Sequence, residues 1–132
     1  MAEKQMLKIL VVDDSNFIRR SIIEILTSEG YNVVGEAASA EDAIQIAHTS
    51  KPNLLLLDIV MPEISGLELA KHFQEKISGE KYIIMMSSLA IESIVIESIS
   101  NGAIDFLQKP FERDDLLKAV SKIEKMLDKE SR

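Results

Sequence analysis

Cysteine is absent from all 132 residues, which excludes a disulfide framework, thiol nucleophiles and thiolate metal ligands. A cationic surplus is missing too. Acidic residues number 22 against 15 basic ones, for a net charge of −7, whereas nucleic-acid-binding domains carry a basic excess. No apolar run approaches the roughly 20 residues of a membrane-spanning helix. The opening stretch from Met1 to Lys8 has no apolar core of the secretory type. Neither G-x-G-x-x-G nor G-x-x-x-x-G-K occurs, so a glycine-rich phosphate loop is lacking. The expectation is a cytoplasmic, monomeric protein with no nucleic-acid or membrane partner. A single domain is expected over residues 1–132, its core at about 7–128, with no output domain after it.

What is present is organised around Asn53-Leu-Leu-Leu-Leu-Asp58-Ile-Val-Met-Pro62. Four consecutive leucines leave no polar face, as in a strand covered by helices on both sides. Lys8 to Asp14 is a second apolar run ending in acids. Ser15 or Asn16 can cap the helix after it, which Ile18, Ile22, Ile25 and Leu26 stripe and Gly30 ends. Tyr31 to Ala37 reads as a short strand. Ser39-Ala-Glu-Asp42 opens a helix to about His48, and Lys51-Pro52 breaks it. A helix from Gly66 to about Ile77 turns Leu67, Ala70 and Phe73 or Ile77 inward. Tyr82 to Ser88 is a strand, Ala90 to Asn101 a β-branched helix of low intrinsic propensity, and Ala103 to Pro110 a last strand. Leu116, Leu117, Val120, Ile123 and Leu127 stripe the final helix. Strand and helix alternate five times, which specifies an α/β fold with a parallel sheet and right-handed crossovers.

In a parallel sheet all C-terminal strand ends share one edge. Here they deliver Asp13 and Asp14, Asp58, Ser87 and Ser88, and Lys109 followed by Pro110. Two unit charges about 4 Å apart repel by roughly 4 kcal/mol at an effective dielectric near 20. Three carboxylates therefore need raised pKa values, the lysine or a divalent cation, and hard oxygen ligands suit Mg²⁺. With a phosphoryl group added, Asp58 can be the nucleophile, Asp13 and Asp14 can hold the metal, and Ser87 and Lys109 can bind phosphoryl oxygens.

The set Asp13-Asp14, Asp58, Ser87 and Lys109-Pro110, in this order and spacing, resembles the receiver domain of bacterial two-component response regulators. The likeness covers about residues 7–128. Val33-Val-Gly-Glu-Ala37, Asn101-Gly-Ala103 and Lys109-Pro-Phe111 are similar to the CheY-like, stand-alone chemotaxis class. The resemblance implies a doubly wound, flavodoxin-like three-layer sandwich of five strands in order 2-1-3-4-5. It further implies Asp58 as phosphoacceptor, charged by a sensor histidine kinase. Mg²⁺ would be bound by Asp14, Asp58 and the backbone carbonyl of Val60, with Asp13 acting mainly through a metal-bound water. Ser87 and Phe106 would be the switch residues, and the Lys109-Pro110 bond would be cis. The protein would be a non-enzymatic signalling switch whose helix 4–strand 5–helix 5 surface binds a partner. The flagellar motor switch leads; a phosphorelay intermediate serving a histidine phosphotransfer protein is the alternative, and a phosphatase could end the signal.

The chain departs from that pattern in places. Phe106 stands where many chemotaxis members have tyrosine, Val60 and Leu89 where some carry polar residues, and Ile91-Glu92 where the enteric protein has a basic pair. Other residues have bland readings. His48 and His72 are expected on solvated helix surfaces, Met85 and Met86 in the core, and Lys118, Lys122 and Lys125 on a solvated face. Phe17 is expected as a partly exposed residue at the site's edge, and Ile91, Val95 and Ile99 as either core or a partner patch. A haloacid-dehalogenase-like phosphatase would need Asp-x-Asp after the first strand, and a flavodoxin-type binder a phosphate loop there. Neither is present.

Overall fold

The computed structural model describes residues 6–77, 79, 81–89 and 91–130. Strands β1 (Lys8–Val12), β2 (Asn32–Ala37), β3 (Leu54–Asp58), β4 (Tyr82–Ser87) and β5 (Asp105–Gln108) alternate with helices α1 (Asn16–Ser28), α2 (Ala40–Ser50), α3 (Gly66–Lys76), α4 (Glu92–Ser100) and α5 (Arg113–Glu130). The sheet is parallel throughout, in the order β2-β1-β3-β4-β5. This is the doubly wound α/β sandwich that the resemblance implies.

The leucine run shows why β3 has no polar face. Side chains alternate across the sheet, so Leu55 and Leu57 enter one core layer with Leu10, Val12, Ile83, Met85 and Phe73. Leu54 and Leu56 enter the other with Ile9, Val11, Ile22, Ile84, Met86 and Val120. Truncating any of these leucines to alanine removes a buried side chain worth roughly 2–5 kcal/mol. Met85 and Met86 fall one in each layer, both in the core as expected.

Helix starts follow the sequence closely. Ser15, Ser39 and Ser65 cap α1, α2 and α3, their hydroxyls accepting the N–H groups of Ile18, Asp42 and Glu68. Several boundaries differ. α2 continues to Ser50 and ends where Lys51 takes a left-handed conformation before Pro52. β5 is shorter at both ends than the stretch from Ala103 to Pro110, and at its C-terminal end Pro110 has no N–H to donate. α5 runs past Leu127 to Glu130. α4 begins at Glu92; Ala90, where its start was expected, lies outside the described residues.

The structure also decides which face of α4 is inward, which the sequence leaves open. Its fully buried residue is Ser98, whose hydroxyl donates to the Ile94 carbonyl. Ile91, Ile96 and Ile99 are exposed, so Ile91 and Ile99 are not core, and Val95 is half-buried. His48 is exposed, whereas His72 is half-buried, its ring edge-on to Phe73. Among the described residues, no helix is long and apolar enough to cross a membrane.

Candidate functional site

Strand register brings the polar strand ends together. Val12 pairs with Leu57 in the central ladder, so Asp13 and Asp58 leave the sheet side by side. Asp58 pairs with Met86 and Ser87 with Gln108, which places Ser87 and Lys109 on the flank of Asp58. Lys109 N–H also donates to the Ser87 carbonyl at 2.8 Å, tying the ends of β4 and β5, and the Lys109-Pro110 peptide is cis.

Asp13 and Asp58 are buried, and Asp14 is exposed. Ligand oxygens of the three carboxylates all lie within 4.8 Å of one another. One ammonium answers them: Lys109 Nζ stands 2.5 Å from Asp13 Oδ2 and 3.3 Å from Asp58 Oδ1. Asp13 is held on every side. Its Oδ1 accepts the Ser15 N–H at 2.9 Å, and its backbone N–H donates to the Ala37 carbonyl at 3.1 Å. Ser87 is buried, and its hydroxyl oxygen accepts the Leu89 N–H at 2.9 Å. Three acids against one lysine leave an excess of negative oxygen ligands, the donor set that a hard divalent cation such as Mg²⁺ takes.

Burial, and then the Asp13 carboxylate, push the Asp58 carboxyl up to about 6, with Lys109 opposing and Asp14 adding to the rise. The folded chain thus holds a proton on Asp58 between about pH 4 and 6 that the unfolded chain has released. Stability therefore falls as pH rises through that window, and the cost is complete above it. With metal chelated, Asp58→Asn is expected to stabilise the protein above pH 6 by on the order of 2–3 kcal/mol. The gain should shrink toward pH 4. Urea unfolding of both proteins at pH 4.5 and 8 in the presence of a chelator measures this; an equal gain at both pH values would contradict it.

A cavity of about 480 Å³ opens beside the acids. Asp58, Ser87 and Lys109 line one end, and Phe17, Ile22, Val60 and Phe111 contribute its apolar walls. Phe17 is 83% exposed, more open than the partly exposed position expected for it. Val60 and Leu89 are 54% and 50% exposed. Val60 lines the cavity with Asp58; Leu89 does not, although its amide is bonded to Ser87. Phe106 is half-buried against the core layer under α3 and α4.

Two residues escaped the sequence reading. At Gly66, whose N–H donates to the Ile59 carbonyl at 2.8 Å, any Cβ would collide with the Asp58 carbonyl oxygen. Only glycine lets the β3–α3 loop pack so closely behind the acid. The other is Arg19, 7% exposed beneath the β1–α1 loop. Its position three residues before Ile22 and seven before Leu26 puts it on the buried stripe of α1, and that spacing is the signal that could have revealed it.

Comparison with known proteins agrees with this geometry. A family model described as the response regulator receiver domain matches residues 9–121. The chemotaxis protein CheY of Thermotoga maritima is 36% identical over 118 residues, covering 89% of this chain and 98% of that protein. CheY of Bacillus subtilis is 39% identical over 115 residues, covering 87% of this chain and 95% of its own. Among solved structures, a CheX–CheY–BeF3–Mg²⁺ complex from Borrelia burgdorferi superposes with a TM-score of 0.82 at 32% identity. It covers 89% of this chain and 88% of that one.

Proposed function

This chain belongs to the response regulator receiver domains, and from that premise we propose that Asp58 is its phosphoacceptor and that the modified surface is read by another protein. The observation that carries this reading is the convergence of Asp13, Asp14, Asp58 and Lys109 at the end of an open cavity. A sensor histidine kinase is the donor. An Asp58 carboxylate oxygen forms the new P–O bond while the donor's P–N bond breaks, and its electron pair leaves on the imidazole nitrogen. Asp13, Asp14, Asp58 and the Val60 backbone carbonyl would hold Mg²⁺, which when bound neutralises charge on the phosphoryl oxygens. Lys109, already directed at Asp58, supplies a second positive partner for those oxygens. The Ser87 hydroxyl turns its proton toward them, and Phe106 follows inward behind it.

The surface that changes is α4–β5–α5. Four isoleucines, Ile96 and Ile99 on α4 and Ile91 and Ile104 flanking it, stand exposed there, apolar surface available to a partner. The flagellar motor switch is the leading reader, in line with the CheY proteins to which the chain is similar. The test of the central reading is exposure of the whole chain to acetyl phosphate with and without Mg²⁺. Intact mass should rise by one phosphoryl group only with the metal present, and peptide mapping should place it on Asp58. No uptake, or uptake mapped elsewhere, would overturn the assignment.

One observation favours a second role, as a phosphorelay intermediate. Loss of the phosphoryl group needs a water in line with the Asp58–phosphorus bond. Val60, and Leu89 beyond Ser87, are apolar and can neither accept a hydrogen bond from that water nor orient it. The aspartyl phosphate should then be long-lived enough to pass to a histidine phosphotransfer protein, or to depend on an external phosphatase. Val60→Asn with Leu89→Glu is expected to speed decay by about fivefold, the factor that one hydrogen bond of about 1 kcal/mol is worth. Val60→Asn should carry most of the effect, because Val60 shares the cavity with Asp58. A phosphoryl-decay time course that is unchanged in the double variant would rule these positions out.

A further inference from the structure

Arg19 makes three side-chain hydrogen bonds to three different parts of the fold. Nη1 donates to the Asp13 carbonyl at 2.7 Å, Nε to Glu36 Oε1 on β2 at 2.8 Å, and Nη2 to Asn16 Oδ1 at 2.5 Å. Arg20 reaches the same Glu36 oxygen at 3.2 Å. The Asp13 carbonyl belongs to the peptide unit that leads into Asp14. The following amide, Ser15 N–H, is held by Asp13 Oδ1. Asp14 itself is exposed, and its carboxylate has no hydrogen-bond partner among the described residues. Its direction is thus set by the backbone on either side of it, and Arg19 pins one of those sides.

We infer that Arg19, buttressed by Glu36, is a positioning residue that aims the Asp14 carboxylate at the cation site shared with Asp13 and Asp58. The inference rests on the Mg²⁺ reading proposed above. It also carries a sign that separates it from plain electrostatics. A guanidinium beside a cation site repels the cation, so removing only its charge tightens Mg²⁺ binding. Removing a positioning group weakens it. A planar fork with three acceptors in three directions is a task that an ammonium cannot reproduce, so the lysine variant separates charge from geometry.

The experiment is a MgCl₂ titration at constant ionic strength, read from the amide ¹⁵N–¹H shifts of residues 13–16 in the full chain; the same spectra report whether each variant is folded. Arg19→Gln is expected to weaken Mg²⁺ binding about tenfold, within the range seen when groups that orient metal ligands are lost. Arg19→Lys should weaken it as well, by at least about threefold. Glu36→Ala should weaken it in the wild-type background and add nothing in the Arg19→Gln background, because the two act through one contact. Unchanged or tighter binding in Arg19→Gln, wild-type binding in Arg19→Lys, or additive effects of the pair would each overturn the inference. A wild-type protein whose spectra do not respond to Mg²⁺ would overturn the metal reading itself. A wild type that responds to Mg²⁺, with Arg19 variants that bind it as tightly as the wild type does, would overturn only the role of Arg19.

Discussion

Asp58→Asn is expected to stay at its unmodified mass under conditions in which the wild type takes up one phosphoryl group per chain. Asparagine has nearly the same shape, so the packing of β3 and the Gly66 loop behind it survive. What disappears is the anionic oxygen able to form the new bond. The neighbouring acids cannot replace it. Asp13 is buried, with Oδ1 engaged by the Ser15 amide and Oδ2 by Lys109. Neither oxygen can approach phosphorus without giving up a bond that would then be unmade in a buried site, at a cost of roughly 1–3 kcal/mol or more. Asp14 is exposed, and its carboxylate would have to leave the cation cluster to attack. The measurement is intact mass after acetyl phosphate and Mg²⁺. Labelling of Asp58→Asn at the wild-type level would refute Asp58 as acceptor.

Lys109→Ala is expected to separate phosphorylation from its consequence. In the unmodified protein the ammonium bridges Asp13 and Asp58 across the β1–β3–β5 gap. When a phosphoryl group arrives on Asp58, the same ammonium has a stronger anion to follow, and its backbone is tied to Ser87 and to the Pro110 turn that precedes α5. A cation that moves with the modification can pull on β5 and the α4–β5–α5 surface; a methyl group cannot. The variant should therefore still accept a phosphoryl group when Mg²⁺ is present, yet lose the whole gain in partner affinity. Affinity for a motor-switch peptide with and without beryllofluoride measures this, and the amide shifts of α4 give a readout that needs no partner. Retention of the full wild-type gain would sink the idea. With the lysine gone, the buried Asp13 and Asp58 carboxylates, whose ligand oxygens lie within 4.8 Å of each other, would repel by on the order of 3–4 kcal/mol at an effective dielectric near 20. Metal-free Lys109→Ala should therefore also unfold at lower denaturant than the wild type above pH 6.

How much of this is legible in the amino-acid sequence depends on the range of the interaction. Strand and helix identities were written in short periods: the leucines of β3, the Ser15 and Ser39 caps, the stripe from Ile22 to Leu26. The acid-ending strands were equally local, and parallel topology alone carries Asp13, Asp58, Ser87 and Lys109 to one edge. Strand order was not local. It came from likeness to a known family, because nothing in a leucine run says which neighbour it pairs with.

Two features were decided only by tertiary packing. α4 and its N-cap bear Ile91, Ile94, Val95, Ile96 and Ile99 around most of the circumference, so apolarity could not say which side faces in. The sheet chose the side with Ser98, which can be buried because its hydroxyl bonds within the helix, and left three isoleucines outside. Arg19 shows the opposite case. A charged residue on a buried stripe looks like an error until its partners are known, and one of them, Glu36, lies 17 positions away. Local chemistry is carried by neighbours within a turn or two of chain, which a sequence displays in order. Burial of a charge or of a hydroxyl depends on acceptors brought from elsewhere by the fold, and those become neighbours only when the chain has closed around them.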